Sequence, residues 1–128
     1  MKLALLFASL AFAGASLAGP IDEGYAQKLA EAIWHAEGGH KAKVSHGVLS
    51  VRTRSPEHAR EVCLRTIRNT WGRWEAAGRP GDFIEHLGER YCPTKGPLTP
   101  NERKLNPNWV KNVRFFLRKQ FPNGPAPD

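Results

Sequence analysis

Residues 26–39 read Ala-Gln-Lys-Leu-Ala-Glu-Ala-Ile-Trp-His-Ala-Glu-Gly-Gly, and the side chain among them best suited to chemistry is Glu37. Ala26, Leu29, Ala30, Ile33 and Glu37 recur at helical spacing, so an apolar stripe along one helix face ends in a carboxylate. Gly38 and Gly39 follow, and glycine lets a chain leave a helix through a left-handed turn. Glu37 is therefore expected at the C-terminal end of a core-facing helix. The partial negative charge of that helix end and the nearby apolar surface both disfavour its ionised form. A carboxyl held partly protonated near neutral pH suits a general acid. The plain alternative is a solvated glutamate at a frayed helix end.

Other chemistries find less support. His35-Ala36-Glu37 matches the His-x-Glu of zinc deaminases, which also need a Pro-Cys-x-x-Cys ligand pair that is missing here. His35 and His40 lack the His-Glu-x-x-His spacing of metalloproteases. No metal site and no cofactor is expected, and His35, His58 and His86 read as helix-surface residues. Ser45, Ser50 and Ser55 lack a Gly-x-Ser-x-Gly elbow, and no Gly-Lys-Ser/Thr follows Gly38-Gly39 to make a phosphate loop. Trp71, Trp74, Trp109 and Phe115 interleave with Arg73, Lys111 and Arg114, a pattern that can stack bases and neutralise phosphates. Aromatic residues at helical spacing are more often core, so no nucleic-acid partner is expected, and a secreted nucleic-acid binder stays as an alternative.

The elements that must position Glu37 begin after residue 18. Lys2, an apolar run over residues 3–12 and small residues at 13–18 have the three-part layout of a secretory signal. About ten apolar residues are too few to span a bilayer, so no stable membrane anchor is expected. The reading is a periplasmic or secreted protein with a signal peptide over 1–18, one domain over 19–121 and a disordered, proline-rich tail over 122–128. The formal net charge, +7 for the whole chain and 18 − 12 = +6 once Lys2 leaves with the signal, draws such a domain to anionic polymers without choosing among them. Export also bears on the two cysteines, Cys63 and Cys92: an oxidising compartment favours a disulfide over two separate buried thiols. Closing a loop of about thirty residues would be worth roughly 3–4 kcal/mol.

Asp22 is a plausible N-cap for the first helix. Residues 41–54 keep no helical period and read as an irregular loop or small hairpin, with Val48 and Val51 as inward anchors. Ser55-Pro56-Glu57 announces a second helix, whose stripe is Ala59, Val62, Cys63, Ile67, Thr70, Trp74 and Ala77, with Gly78 closing it. Arg60, Arg65, Arg68 and Arg73 fall off that stripe and read as a solvated face. Asp82 caps a third helix over Phe83–Tyr91, and residues 94–105 read as a loop. Asn106-Pro107 restarts the chain, and a fourth helix to about Gln120 turns Val110, Val113, Phe116 and Leu117 inward. The fold class is mainly α, α+β at most.

Ala-Glu37-Gly-Gly at a helix end, followed by His46-Gly47-Val48-Leu49-Ser50, resembles the lysozyme-like superfamily and most of all the small lytic transglycosylases of bacteria and phage. Arg90-Tyr91 and Asn108-Trp109-Val110-x-Asn112-Val113 resemble that family's later tyrosine and its Asn-x-x-x-Tyr-Val-like motif, in the same order. Ser50 stands where the family often has glutamine, and His46 where relatives often have an aromatic. The resemblance implies a lysozyme-like helical domain cleaving the β-1,4 bonds of peptidoglycan glycan strands as a monomer. Glu37 would protonate the leaving oxygen and then deprotonate the sugar's 6-hydroxyl, closing a 1,6-anhydro ring. It also implies that His46, Gly47, Val48, Tyr91, Asn108 and Asn112 bind substrate. No partner for Glu37 is obvious among Asp82, Glu85 and Glu89, and a paired-carboxylate hydrolase needs two carboxyls at a set separation. The non-enzymatic alternative is an exported cell-wall-binding or inhibitor-like protein on the same scaffold.

Overall fold

The computed structural model describes residues 19–48 and 52–120. The signal peptide, the tail, Leu49, Ser50 and the Val51 anchor lie outside the described residues. Every regular element among those described is helical, in keeping with the mainly α reading. Five α-helices run α1 (Glu23–Ala36), α2 (Pro56–Ala76), α3 (Phe83–Tyr91), α4 (Pro100–Leu105) and α5 (Asn108–Lys119). Two 3₁₀ turns, Gly39–Lys41 and Ser45–Gly47, stand in the first part of the segment expected to be irregular or a hairpin.

Helix starts follow local chemistry. Asp22 Oδ2 accepts from Tyr25 N at 2.9 Å, Ser55 Oγ from His58 N at 3.1 Å, and Asp82 Oδ2 from Glu85 N at 2.9 Å. Each bond satisfies one amide that a helix start leaves without an intrahelical partner. The proline-bearing segment expected to be a loop contains α4. A reciprocal capping box starts it: Glu102 N donates to Thr99 Oγ1 at 3.1 Å, and Thr99 N donates to Glu102 Oε1 at 3.0 Å. Asn106, expected to cap α5, instead ends α4 and donates from Nδ2 to Pro93 O at 2.7 Å. Pro107 then precedes α5 with no side-chain cap.

Helix α1 lies at the centre. Ala26, Leu29, Ala30, Ala32 and Ile33 are fully buried, packed chiefly against α5 and also against α2 and the 45–47 turn. On α2 the expected stripe is buried from Ala59 to Trp74, with Ala77 exposed beyond it. On α5 Val113 and Leu117 are buried, Val110 and Phe116 are partly so, and Trp109 joins them. Trp74 and Phe83 are buried, and partly buried Trp71 packs on both with ring centroids 4.9 Å away. Of the aromatics considered for base stacking, Trp74 and Trp109 are thus core and Phe115 is exposed.

On the outer face of α2, Arg68 forks onto Glu23 through two 2.8 Å bonds, and Arg60 Nη2 reaches Gln27 Oε1 at 2.6 Å. Both are partly or fully solvated, so packing rather than these pairs holds α2 to α1. No described helix is long and apolar enough to cross a membrane. Leu29→Ala opens a cavity where α1 is wholly enclosed, and we expect a loss of about 2–5 kcal/mol in urea denaturation with an unchanged m-value.

Candidate active site

Helix α1 ends as its sequence suggests. Glu37 is the C-cap, its amide bonded to Ile33 O at 2.9 Å, and Gly38 turns out of the helix at φ +110°. The carboxyl is partly buried. Trp109 Nε1, from the first turn of α5, donates to Glu37 Oε1 at 2.9 Å. Behind the carboxyl stands Gly47, with φ +63°. A β-carbon added there would lie 2.5 Å from Glu37 Cδ and 2.6 Å from Oε1, so only glycine fits both the conformation and the space.

A second glycine lets Trp109 reach this far. Gly88 is buried in α3, and a β-carbon on it would come within 2.9 Å of Val110 Cγ2 and 3.2 Å of Trp109 Cε3. Its bare backbone allows α5 to close on α3. The Tyr91 ring then stacks on the Trp109 indole, centroids 5.0 Å apart and planes 15° from parallel. Tyr91 Oη donates in turn to Cys63 Sγ at 3.3 Å. Glu37, Trp109, Tyr91 and Cys63 thus form one connected group drawn from α1, α5, α3 and α2.

Opposing effects act on the Glu37 carboxyl. Burial raises its pKa above the ordinary 4.5, and the Trp109 hydrogen bond, which favours the anion, lowers it; burial prevails. The upward direction matches expectation, with burial as its cause. Glu23, Glu89 and Glu102 are shifted the other way by hydrogen bonds they accept. Burial also pushes the Cys63 thiol up to about 11 and carries the Tyr91 phenol well above the usual tyrosine range, so both stay neutral.

A groove of about 740 Å³ has Gly47, Val48 and Tyr91 on its wall; Glu37 does not itself line it and borders it through Gly47, whose backbone lies against the carboxyl. His46 is a correction. It is 3% exposed, adopts a left-handed φ of 57°, and faces a separate hollow with Trp34, Glu57 and Arg60 instead of the groove. Its Nδ1 lies 2.9 Å from Ser45 Oγ, and burial, then the Arg60 charge, lowers its pKa. The left-handed backbone turns residue 46 away as it presents residue 47.

Asn108 and Asn112, expected to bind substrate, are exposed on α5 and do not line the groove, while Trp109 between them turns inward to Glu37. The Cys63–Cys92 disulfide is not formed, and both thiols are free. Cys63 looks inward from α2 to the Tyr91 hydroxyl, whereas Cys92 ends α3 and lines the cavity between α3 and α5. Trp109 is the residue of the candidate site that sequence reasoning missed. Its signal was the 109, 113, 117 spacing, which continues the buried face of α5 back to the helix start.

Asp82 is held by Arg114 at 2.7 Å, Glu85 is exposed, and Glu89 lines the groove with both carboxylate oxygens bonded to Thr94. Among the described residues no group of three or more His, Cys, Asp or Glu side chains is arranged to hold a metal ion. No family model, curated protein or solved structure matches the chain.

The raised pKa of Glu37 also has a cost to the fold. Its contribution is most favourable below 4.5, where the carboxyl is protonated in both folded and unfolded chains, and is lost as pH rises through the elevated folded value. Glu37→Gln should therefore raise Tm at pH 7, with the gain shrinking toward zero as pH falls below 4.5; calorimetry across that range checks it.

Proposed function

We propose that the protein is an exported glycan-cleaving enzyme of the lytic transglycosylase type, with peptidoglycan strands as substrate and Glu37 as its single acid/base. The observation that carries this reading is a carboxyl partly withdrawn from water, with raised pKa, packed against Gly47, which lines a groove of about 740 Å³. That volume lies within the range of ligand pockets. Trp109 occupies Glu37 Oε1 and leaves Oε2 to carry the proton. An indole N–H can only donate, so it orients the carboxyl without competing for that proton.

In the first step Glu37 passes its proton to the oxygen of the departing sugar as the glycosidic bond breaks. The carboxylate formed is stabilised where it stands by the Trp109 N–H. In the second step it removes the proton of the 6-hydroxyl, whose oxygen closes on the anomeric carbon as a 1,6-anhydro ring. Glu37 is protonated again, and no water is consumed. A single-carboxyl route needs no second acid, and Glu89, the carboxylate that lines the groove, is tied to Thr94. The apolar wall of Val48 and Tyr91 suits sugar-ring faces.

Clearing of purified cell walls tests the reading. Wild-type protein is expected to clear a wall suspension and Glu37→Gln to do so roughly 10²–10⁴-fold more slowly. Activity should fall as pH rises through the elevated Glu37 pKa, because the general acid is then lost. Mass analysis should find anhydro ends on the products. Equal clearing by both proteins removes Glu37 from the mechanism, and reducing ends replace the transglycosylase step with hydrolysis.

A further inference from the structure

The groove beside Glu37 carries charge that ring cleavage does not use. Arg73 reaches it from α2, Arg90 from α3, and Lys95 from the segment after α3. Among the described residues three arginines pair with acids: Arg68 with Glu23, Arg79 with Glu75, Arg114 with Asp82. Arg73 and Arg90 form no ion pair among the described residues. Arg73 is steadied by a 3.2 Å bond from Nη2 to Thr70 Oγ1, which leaves its remaining N–H groups facing outward. Both guanidinium groups are exposed, and they stand on different helices along the same groove.

We infer that this groove binds glycan strands through carboxylates carried on their side groups, with Arg73 and Arg90 as the residues that receive them. The inference rests on the glycan-cleaving reading above and adds which strands the groove selects. A guanidinium offers a planar fork of donors that matches a carboxylate bidentately. The hydroxyls and acetamides of an unsubstituted amino-sugar chain give such a fork no anion to meet. Strands bearing peptides on their lactyl groups present one at intervals.

Glu89 decides against a continuous polyanion. It lines the same groove, and its bonds from Thr94 keep it ionised below the ordinary glutamate range. A phosphodiester backbone would meet this fixed negative charge, whereas a ligand with spaced carboxylates can pass it. The wall of two arginines, one lysine and one carboxylate therefore suits discrete anions on a neutral chain.

Binding to the Glu37→Gln protein tests this without cleavage. Soluble glycan strands carrying their peptides are compared with the same strands stripped of their anions by converting every carboxyl to a neutral amide with carbodiimide and ammonia, and with single-stranded DNA as a polyanion. Strands with free carboxylates should bind roughly three- to tenfold more tightly than stripped ones at low salt, with the preference shrinking as salt screens it. Adding Arg73→Ala and Arg90→Ala should abolish the preference and leave affinity for stripped strands nearly unchanged; both side chains are exposed, and an unchanged Tm verifies the fold.

Equal affinity for the two strands, no binding to either, a preference that survives both replacements, or tighter binding of DNA would each overturn the inference. Wall clearing by the wild-type protein reports on cleavage separately. An enzyme that cleaves both strands alike, with equal affinity, loses the carboxylate preference and keeps its activity.

Discussion

One hydrogen bond, from Trp109 Nε1 to Glu37 Oε1, joins the end of α1 to the start of α5 across 72 positions of sequence. Everything that shapes the candidate site serves or borders this contact. It forms where α1 and α5 pack closely, the most extensive helix–helix contact among the described residues. Gly88 lets α5 settle on α3, and Gly47 lets the 45–47 turn press against the carboxyl. The apolar interior that stabilises the domain is also what withdraws Glu37 from water. Core packing and acid strength are therefore properties of the same interface.

Two opposing forces act on that carboxyl. Burial penalises the anion, and the indole N–H rewards it. Were burial to act alone, the carboxyl would give up its proton less readily; were the hydrogen bond to dominate, it would be ionised near neutral pH with no proton to give. In the proposed reaction, where one residue is acid and then base, both effects have a use. The neutral Tyr91 and Cys63 behind the indole add packing and no charge.

Helix starts were legible because a cap is a local event. Asp22, Ser55 and Asp82 each bond an amide three positions ahead, within reach of a short sequence window. Glu37 was legible for a similar reason, since its stripe and the following glycines are contiguous. Helix α4 escaped because the prolines around it outweighed a capping box, Thr99 to Glu102, that was present all along. The thiol pair failed on direction: two cysteines at a suitable separation say nothing about which way each sulfur faces, and Cys63 turns to Tyr91. Trp109 escaped because its partner lies on a distant helix. His46 escaped because a left-handed backbone at a non-glycine residue reverses the side-chain direction expected beside Gly47.

The central claim is that the Glu37 carboxyl is partly withdrawn from water and steadied by Trp109. Carbon-detected NMR titration of that carboxyl, in the wild-type protein and in Trp109→Phe, measures it directly. The account predicts a midpoint above 4.5 in the wild type and a higher one in the variant, because the bond lost is the one that favours the anion. A wild-type midpoint at or below 4.5, or a midpoint that falls or stays put in the variant, would contradict it.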